Sequence, residues 1–177
     1  SEGAGLGIRF LKHLTRNRIL LHLVDIAPCD GSDPSDGAVA IVRELERFSP
    51  TLAARPRWLV INKVDLIDAE TLAARKKELL AALDWAGPTY EISALGHRGT
   101  RELSGDLMTH IEALDEQMAD DADAVAAERL AQESMQQEAR ERIEALREQQ
   151  AVARRNSKTT VKNVDDEGDD VAVEYRH

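Results

Sequence analysis

Three short apolar runs alternate with helical patterns over the first 114 residues. The runs cover 19–25 (I-L-L-H-L-V-D), 57–62 (R-W-L-V-I-N) and 89–93 (T-Y-E-I-S). Short apolar runs of this kind are typical of strands buried on both faces of a parallel sheet. Between the runs, apolar residues recur three or four positions apart, which predicts helices. These positions are Ala38, Val42 and Leu45, then Leu72, Leu79, Leu80 and Leu83, then Leu103, Leu107, Ile111 and Leu114.

Segments rich in proline and glycine separate these elements, at 28–34, 50–56 and 87–88. With a leading helix around Ile8, Leu11 and Leu14, the order is α-β-α-β-α-β-α. That order predicts an α/β protein with an open, doubly wound parallel sheet. Ligands of such sheets bind beyond the carboxyl ends of the strands. The loops that follow the second and third runs are therefore the first candidates for a site.

The remainder of the 177-residue chain has a different composition. Five of the six aromatic residues lie at or before Tyr90, which puts the globular domain in 1–114. Residues 115–156 are rich in Ala, Glu, Gln and Arg and predict a charged helical extension. For this extension a solvated helix is favoured over one that docks on a partner. Residues 157–177 predict a disordered acidic tail, with Asp165, Asp166, Glu167, Asp169, Asp170 and Glu174 as its acids.

Composition also excludes several functions. The formal charge of −10 argues against a general binder of DNA, other nucleic acids or anionic membranes. The longest apolar run is five residues, whereas a membrane span needs about 20. The single cysteine, Cys29, excludes an intramolecular disulfide and a cysteine-based metal site. We therefore expect a cytoplasmic protein; the oligomeric state stays open.

Two loops carry residues with a specific chemistry. Asn62-Lys63-Val64-Asp65 follows the second run and has the form N-K-x-D, and Ser93-Ala94-Leu95 follows the third. An aspartate presents two coplanar acceptors, and guanine presents two adjacent donors, N1–H and the 2-amino group. Adenine lacks this pair of donors. We therefore assign guanine recognition to Asp65, in preference to an ordinary polar loop between a strand and a helix.

The neighbouring residues complete this hypothesis. The methylene stem of Lys63 can lie along the face of the base with its ammonium in water. Asn62 can tie the two loops together through its amide. A backbone N–H of the second loop, that of Ala94 in particular, can donate to guanine O6, where adenine has an amino donor. Each such contact is worth about 1–3 kcal/mol of discrimination.

These loops resemble the fourth and fifth sequence motifs of the translation-factor-related GTPases, and residues 1–114 resemble the Obg (CgtA) GTPases of bacteria. Residues 1–14, S-E-G-A-G-L-G-I-R-F-L-K-H-L, are similar to the stretch after the D-x-P-G motif of that family. Residues 20–25 with Pro28, and 56–60 (P-R-W-L-V), are similar as well. The resemblance implies the last three strands of a P-loop-NTPase-type sheet. It also implies guanine-nucleotide contacts in the two loops, at Asn62, Lys63, Val64, Asp65, Ser93, Ala94 and Leu95.

The resemblance further implies a parent protein that binds GTP and GDP with Mg²⁺, hydrolyses GTP and acts in assembly of the large ribosomal subunit. The 177 residues contain no G-x-x-x-x-G-K-[ST] phosphate loop, no D-x-P-G and no threonine segment for Mg²⁺. We therefore expect the C-terminal half of a GTPase domain, without catalytic residues or metal ligands of its own. Such a chain is expected to bind GTP weakly and not to hydrolyse it. The strand at 19–25, which lies beside the phosphate-loop strand in these GTPases, is expected to leave an apolar edge exposed.

Other features admit two interpretations. The rival to the GTPase hypothesis is a non-catalytic interaction module that uses the 115–177 extension. His22 is expected to be a buried, hydrogen-bonded histidine in preference to a catalytic one. The basic run 75–77 is expected to be a solvated helix face in preference to an RNA contact. An acidic cluster is expected to form turns and helix caps in preference to a metal site; its members are Asp25, Asp30, Asp33 and Asp36.

Overall fold

The computed structural model describes residues 7–164, with the side chains of 10–153. Three strands alternate with six α-helices in this part of the chain. They are α1 (Ile8–Leu14), β1 (Leu20–Asp25), α2 (Pro34–Phe48), α3 (Pro50–Ala53), β2 (Arg57–Asn62), α4 (Ala69–Ala82), β3 (Thr89–Ile92), α5 (Thr100–Asp120) and α6 (Ala122–Val164), with a 3₁₀ turn at Val64–Leu66. Two of the helices, α2 and α4, begin with aspartates, Asp33 and Asp68, that accept hydrogen bonds from backbone N–H groups of the first turn.

The strands form one parallel sheet in the order β1-β2-β3. β1 pairs with β2 from Leu20 opposite Arg57 to Asp25 opposite Asn62. β3 pairs with the other side of β2, where Ile92 lies opposite Asn62. All three strands therefore end at the same edge of the sheet. The predicted α/β class and the parallel sheet are confirmed.

Helices cover both faces of the central strand. On one face, Leu59 and Ile61 pack with Ala38 of α2 and Leu79 of α4. On the other face, Trp58 and Val60 pack with Ile92 and with Leu103 of α5. Because successive side chains of a strand point to opposite faces, the unbroken W-L-V-I run of β2 supplies both layers of the core.

β1 differs from β2, because only one of its faces is covered. Leu20 and Val24 are buried, whereas Leu21 is 37% and Leu23 is 55% exposed. Within the described part of the chain, β1 pairs with a single strand, β2. The exposed apolar edge expected for this strand is therefore present, and the expectation of a strand buried on both faces holds for β2 but not for β1.

His22 of β1 is buried, with 6% exposure, as the sequence predicts. The prediction that it is hydrogen-bonded is wrong, because neither ring nitrogen has a partner among the described residues. Its side chain lies in a largely apolar cavity of about 310 Å³, to which Leu14, Ile41 and Leu45 contribute. Burial, together with the nearby charge of Arg57, lowers the pKa of His22 to about 4. The imidazole is therefore neutral at pH 7.

The first part of α6 docks on the segment between α2 and β2. Glu138 accepts hydrogen bonds from the Ser49 hydroxyl at 2.6 Å, the Thr51 hydroxyl at 2.7 Å and the Thr51 N–H at 3.1 Å. Arg55 donates two hydrogen bonds to Glu128, at 2.5 and 2.8 Å. We call this set of contacts the clasp. Burial disfavours the charged form of Glu138, but the hydrogen bonds outweigh it and hold its pKa below the ordinary value.

The clasp corrects the expectation of a solvated helix for this part of the extension. Met135 and Ala139, one turn apart on α6, are 0% and 3% exposed. One compact unit ends at Ala139 and a second begins at Arg140, and the expected boundary at 114 falls within α5. α6 continues to Val164, into the segment expected as an acidic tail; residues 165–177 lie outside the described residues. No helix in the described range is long and apolar enough to cross a membrane.

The free energy of unfolding is expected to fall as pH decreases from 6.5, the ordinary pKa of histidine, to about 4, the pKa of His22 in the folded chain. The unfolded chain takes up a proton near the ordinary pKa of 6.5, whereas the folded chain does so only at about 4. The unfolded state therefore binds more protons between these values, and stability is lost as pH falls from 6.5 towards 4, by about 3 kcal/mol for a shift of this size. His22→Gln should flatten this slope in urea unfolding at pH 7 and pH 5. His13→Gln, at an exposed position, should leave the slope intact; equal slopes in wild type and His22→Gln would contradict the assignment.

The clasp predicts a second stability effect. Glu138→Ala removes the acceptor of three hydrogen bonds and leaves the buried Ser49 hydroxyl without this acceptor, so the free energy of unfolding should fall by about 1–3 kcal/mol. Glu133→Ala is the matched control, since the Glu133 side chain is 60% exposed and pairs with Arg129 one turn away. It should change the free energy of unfolding by no more than about 0.5 kcal/mol. Equal effects of the two changes in urea unfolding would show that the clasp does not stabilise the fold.

Candidate functional site

The carboxyl edge of the sheet brings together the two loops singled out from the sequence. β2 ends at Asn62, which is followed by Lys63 and the 3₁₀ turn that contains Asp65. β3 ends at Ile92, next to β2, and is followed by Ser93. Parallel pairing in register thus places both loops side by side at the edge where α/β sheets bind ligands.

A side chain joins the two loops. Asn62 Oδ1 accepts a hydrogen bond from the Ala94 N–H at 3.0 Å, as the sequence predicts for this amide. The same bond changes one detail of the prediction, because the Ala94 N–H assigned to guanine O6 is already paired within the protein. The next N–H, that of Leu95, has no hydrogen-bond partner within the described part of the chain. Leu95 is 90% exposed, so its N–H is a free donor of this loop.

Asp65 is held as an ionised carboxylate. A hydrogen bond from the Ser93 hydroxyl is the main cause that lowers its pKa, and the charge of Arg98 acts in the same direction. Ser93 is itself 1% exposed and accepts a hydrogen bond from the Gly96 N–H at 2.9 Å. Asp65 is exposed and therefore presents acceptor oxygens to solvent at neutral pH.

Lys63 occupies a conformation that is uncommon for a residue with a side chain, with φ 67°. Its ammonium forms an ion pair with Asp25 at the end of β1, with 2.5 Å between Nζ and Oδ2. The hydrogen bond to Asp25 raises the pKa of Lys63. Both side chains are partly exposed, at 42% for Lys63 and 37% for Asp25. The lysine stem therefore spans the carboxyl edge from β2 towards β1.

Val64 does not join this surface. It was expected in the binding loop, but it is 3% exposed and packs in the core with Ile61 and Leu79. Its apolar side chain is buried in the core, where it holds the 3₁₀ turn in place. Of the four residues of the N-K-x-D motif, the three polar ones therefore lie at the surface and Val64 lies in the core.

The loop after β3 is closed by its own backbone. The Ser93 and Arg98 backbones exchange hydrogen bonds of 3.0 and 3.1 Å. Gly99 follows with φ 71°, and a Cβ at this position would overlap the Glu91 carbonyl oxygen. Sequence reasoning overlooked Gly99 and Arg98, although a glycine just before a helical pattern was a usable signal.

Three members of the acidic cluster have separate structural partners, and the expected cap and turn are found at Asp33 and Asp30. Asp33 caps α2 by accepting from the Ser35 N–H at 2.7 Å, Asp30 accepts from Ser32, and Asp25 pairs with Lys63. Among the described residues, no group of three or more His, Cys, Asp or Glu side chains is arranged to hold a metal ion.

Two of the three basic residues at 75–77 also have structural partners. Arg75 donates to the Ile26 carbonyl oxygen at 2.6 Å, and Lys76 pairs with Glu91 at 2.6 Å. These contacts fasten α4 to the residue that follows β1 and to β3. Neither the acidic cluster nor the basic run therefore competes with the two loops as the candidate site.

A comparison of the sequence with models of known protein families finds no match. The site is therefore interpreted from its own geometry and from the chemistry of its residues.

The Asn62–Ala94 hydrogen bond should control how well the second loop is ordered. Asn62→Ala removes the acceptor, so the Ala94 amide should exchange with solvent deuterium about ten-fold faster, the factor that corresponds to a typical hydrogen bond. Asn62→Asp keeps an acceptor oxygen at the same place and should preserve most of the protection. The measurement is amide exchange by NMR. Equal exchange rates in wild type and Asn62→Ala would show that the bond does not order the loop.

Proposed function

We propose that this chain binds guanine nucleotides through the two loops at the carboxyl edge of its sheet. The observation that carries the proposal is the hydrogen bond between Asn62 Oδ1 and the Ala94 N–H, 3.0 Å long. It joins an N-K-x-D loop to a Ser-Ala loop from a different strand, so residues 32 positions apart form one surface. This bond between two loops favours a shared binding surface over an ordinary polar loop between a strand and a helix.

The chemistry of this surface matches guanine better than adenine. Asp65 is exposed and ionised, so its two oxygens can accept from N1–H and the 2-amino group, a donor pair that adenine lacks. The N–H of Leu95 can donate to O6, where adenine carries a donor of its own. The Lys63 stem, extended towards Asp25, provides an apolar strip for the face of the base. The Asp65 carboxylate and the Leu95 N–H thus give the site two independent contacts that favour guanine over adenine.

The resemblance to Obg GTPases extends this proposal to the parent protein. On this basis the three strands are part of a P-loop-NTPase-type sheet in a cytoplasmic GTPase that uses Mg²⁺ and acts in assembly of the large ribosomal subunit. β1 is an edge strand of the described sheet, and its free backbone edge is where such a sheet would continue. The chain itself contains no phosphate loop, so it supplies the base contacts and not the phosphoryl chemistry, and we expect no GTP hydrolysis by these 177 residues alone.

The rival hypothesis, an interaction module built on the extension, receives less support. Within the extension, Met135 is buried and Glu138 is already held by the clasp. That part of α6 therefore has a structural role that needs no partner. The rival would nevertheless take the place of the proposal if the guanine site failed the following test.

Asp65→Asn should change the base preference of the site from guanine towards xanthine. The carboxamide introduced by this change has one acceptor and one donor, which match N1–H and the C2 carbonyl of xanthine but oppose the 2-amino group of guanine. Wild type should bind guanosine in preference to adenosine, and Asp65→Asn should reduce its guanosine affinity by about ten-fold or more. The variant should bind xanthosine more tightly than wild type does. NMR titration with the three nucleosides measures each affinity without any contribution from phosphates.

Asp84→Asn is the matched control. Asp84 is exposed and has φ 46°, a conformation that asparagine tolerates well, so this change keeps the fold and loses the same charge away from the site. Its nucleoside affinities should equal those of wild type. Failure of wild type to distinguish guanosine from adenosine, or an unchanged preference in Asp65→Asn, would overturn the proposal.

A further inference from the structure

Asp25 lies at the point where β1 meets the candidate site. The pairing of β1 with β2 places Asp25 opposite Asn62, the first residue of the N-K-x-D loop. One carboxylate oxygen, Oδ2, contacts Lys63 Nζ at 2.5 Å. The other, Oδ1, accepts from the Ala27 N–H at 3.0 Å. Each oxygen thus has its own partner.

These contacts make Asp25 a fixed anchor rather than a mobile surface acid. The Ala27 hydrogen bond orients the carboxylate on its own loop. The backbone beyond it is held as well, because the Ile26 N–H donates to the Asn62 carbonyl and the Ile26 carbonyl accepts from Arg75. The position of Oδ2 relative to β2 is therefore determined by the backbone pairing of the sheet.

The ion pair with Asp25 orders the methylene stem of Lys63. A lysine side chain without such a partner samples many rotamers, and holding it against a ligand has a cost in conformational entropy. With its backbone in the left-handed region and its ammonium on Asp25, the stem is already drawn across the edge of the sheet. The ammonium is also paired with a carboxylate, so the stem offers apolar surface more than a free positive charge.

We propose that Asp25 is a positioning residue of the guanine site, which orders the Lys63 stem as the surface against which the base lies. This inference rests on the proposed function. Asp25 touches Lys63 and does not itself contact the base; its effect on base binding passes through the lysine. The sequence places Asp25 at the end of the first predicted strand and in an acidic cluster, but nothing in the linear order connects residue 25 with residue 63.

The test is a double-mutant cycle with guanosine as the probe and the full 177-residue chain as the protein. Asp25→Asn removes the charge but keeps an oxygen for the Ala27 N–H, so the turn after β1 is retained. Lys63→Met keeps an apolar stem and removes the ammonium. Asp25→Asn should weaken guanosine binding about three- to five-fold, the range given by an exposed ion pair that orders a side chain. In the Lys63→Met background, the same change should have no effect.

A second measurement separates positioning from a general loss of structure. NMR titration of the Lys63 amine should show its pKa decrease in Asp25→Asn, because the hydrogen bond that raises it is lost. Asp30→Asn, which removes an exposed acid of the same loop, should change neither guanosine affinity nor the Lys63 pKa.

The outcomes distinguish this inference from the proposed function. Suppose wild type binds guanosine and Asp65→Asn abolishes its preference, but Asp25→Asn has no effect or has the same effect in both backgrounds. Then Asp25 is not a positioning residue, while the guanine site stands. Absence of guanosine binding by wild type would overturn the proposed function and this inference with it.

Discussion

The burial of β2 between two neighbouring strands and two helical layers is the constraint on which the rest of the structure depends. Its backbone is hydrogen-bonded to β1 on one side and to β3 on the other. Its side chains Leu59, Val60 and Ile61 are completely buried. Because a one-residue slip would exchange the two faces of such a strand, the register is firmly specified. Everything at the carboxyl edge takes its position from that register.

The fixed register of β2 allows polar side chains of the candidate site to reach from one loop to the next. Asn62, at the end of β2, reaches the Ala94 N–H on the loop after β3, and Lys63 reaches Asp25 at the end of β1. Polar contacts therefore extend from the central strand to both neighbours. Most of these groups are partly exposed, so each bond contributes little to stability by itself. Their effect is to hold loops and side chains in one arrangement, which lowers the entropy that a ligand has to remove.

The clasp extends the compact unit beyond the sheet. The backbone of Thr51 and the hydroxyl groups of Ser49 and Thr51 donate to the Glu138 carboxylate, while Arg55 and Glu128 form a second link whose side chains are 10% and 15% exposed. Met135, on the same helix, is 0% exposed. The partly buried Glu138 carboxylate, which accepts three hydrogen bonds, is well satisfied. The beginning of α6 therefore belongs to the fold.

The sequence by itself determined the α/β class, the places of the three strands, and the two polar loops at their carboxyl ends. It did so because unbroken apolar runs, three- to four-residue periodicity and turn residues are local signals. Only the tertiary structure decided that Val64 turns into the core and that the Ala94 N–H is taken by Asn62. It also decided that His22 has no hydrogen-bond partner among the described residues, and that Glu138 docks on Ser49 and Thr51. Each of these depends on contacts between residues far apart in the chain, or on whether a helix covers a given face. The ion pair between Asp25 and Lys63 is of the same kind: two ordinary charged residues meet because parallel pairing brings the ends of β1 and β2 together.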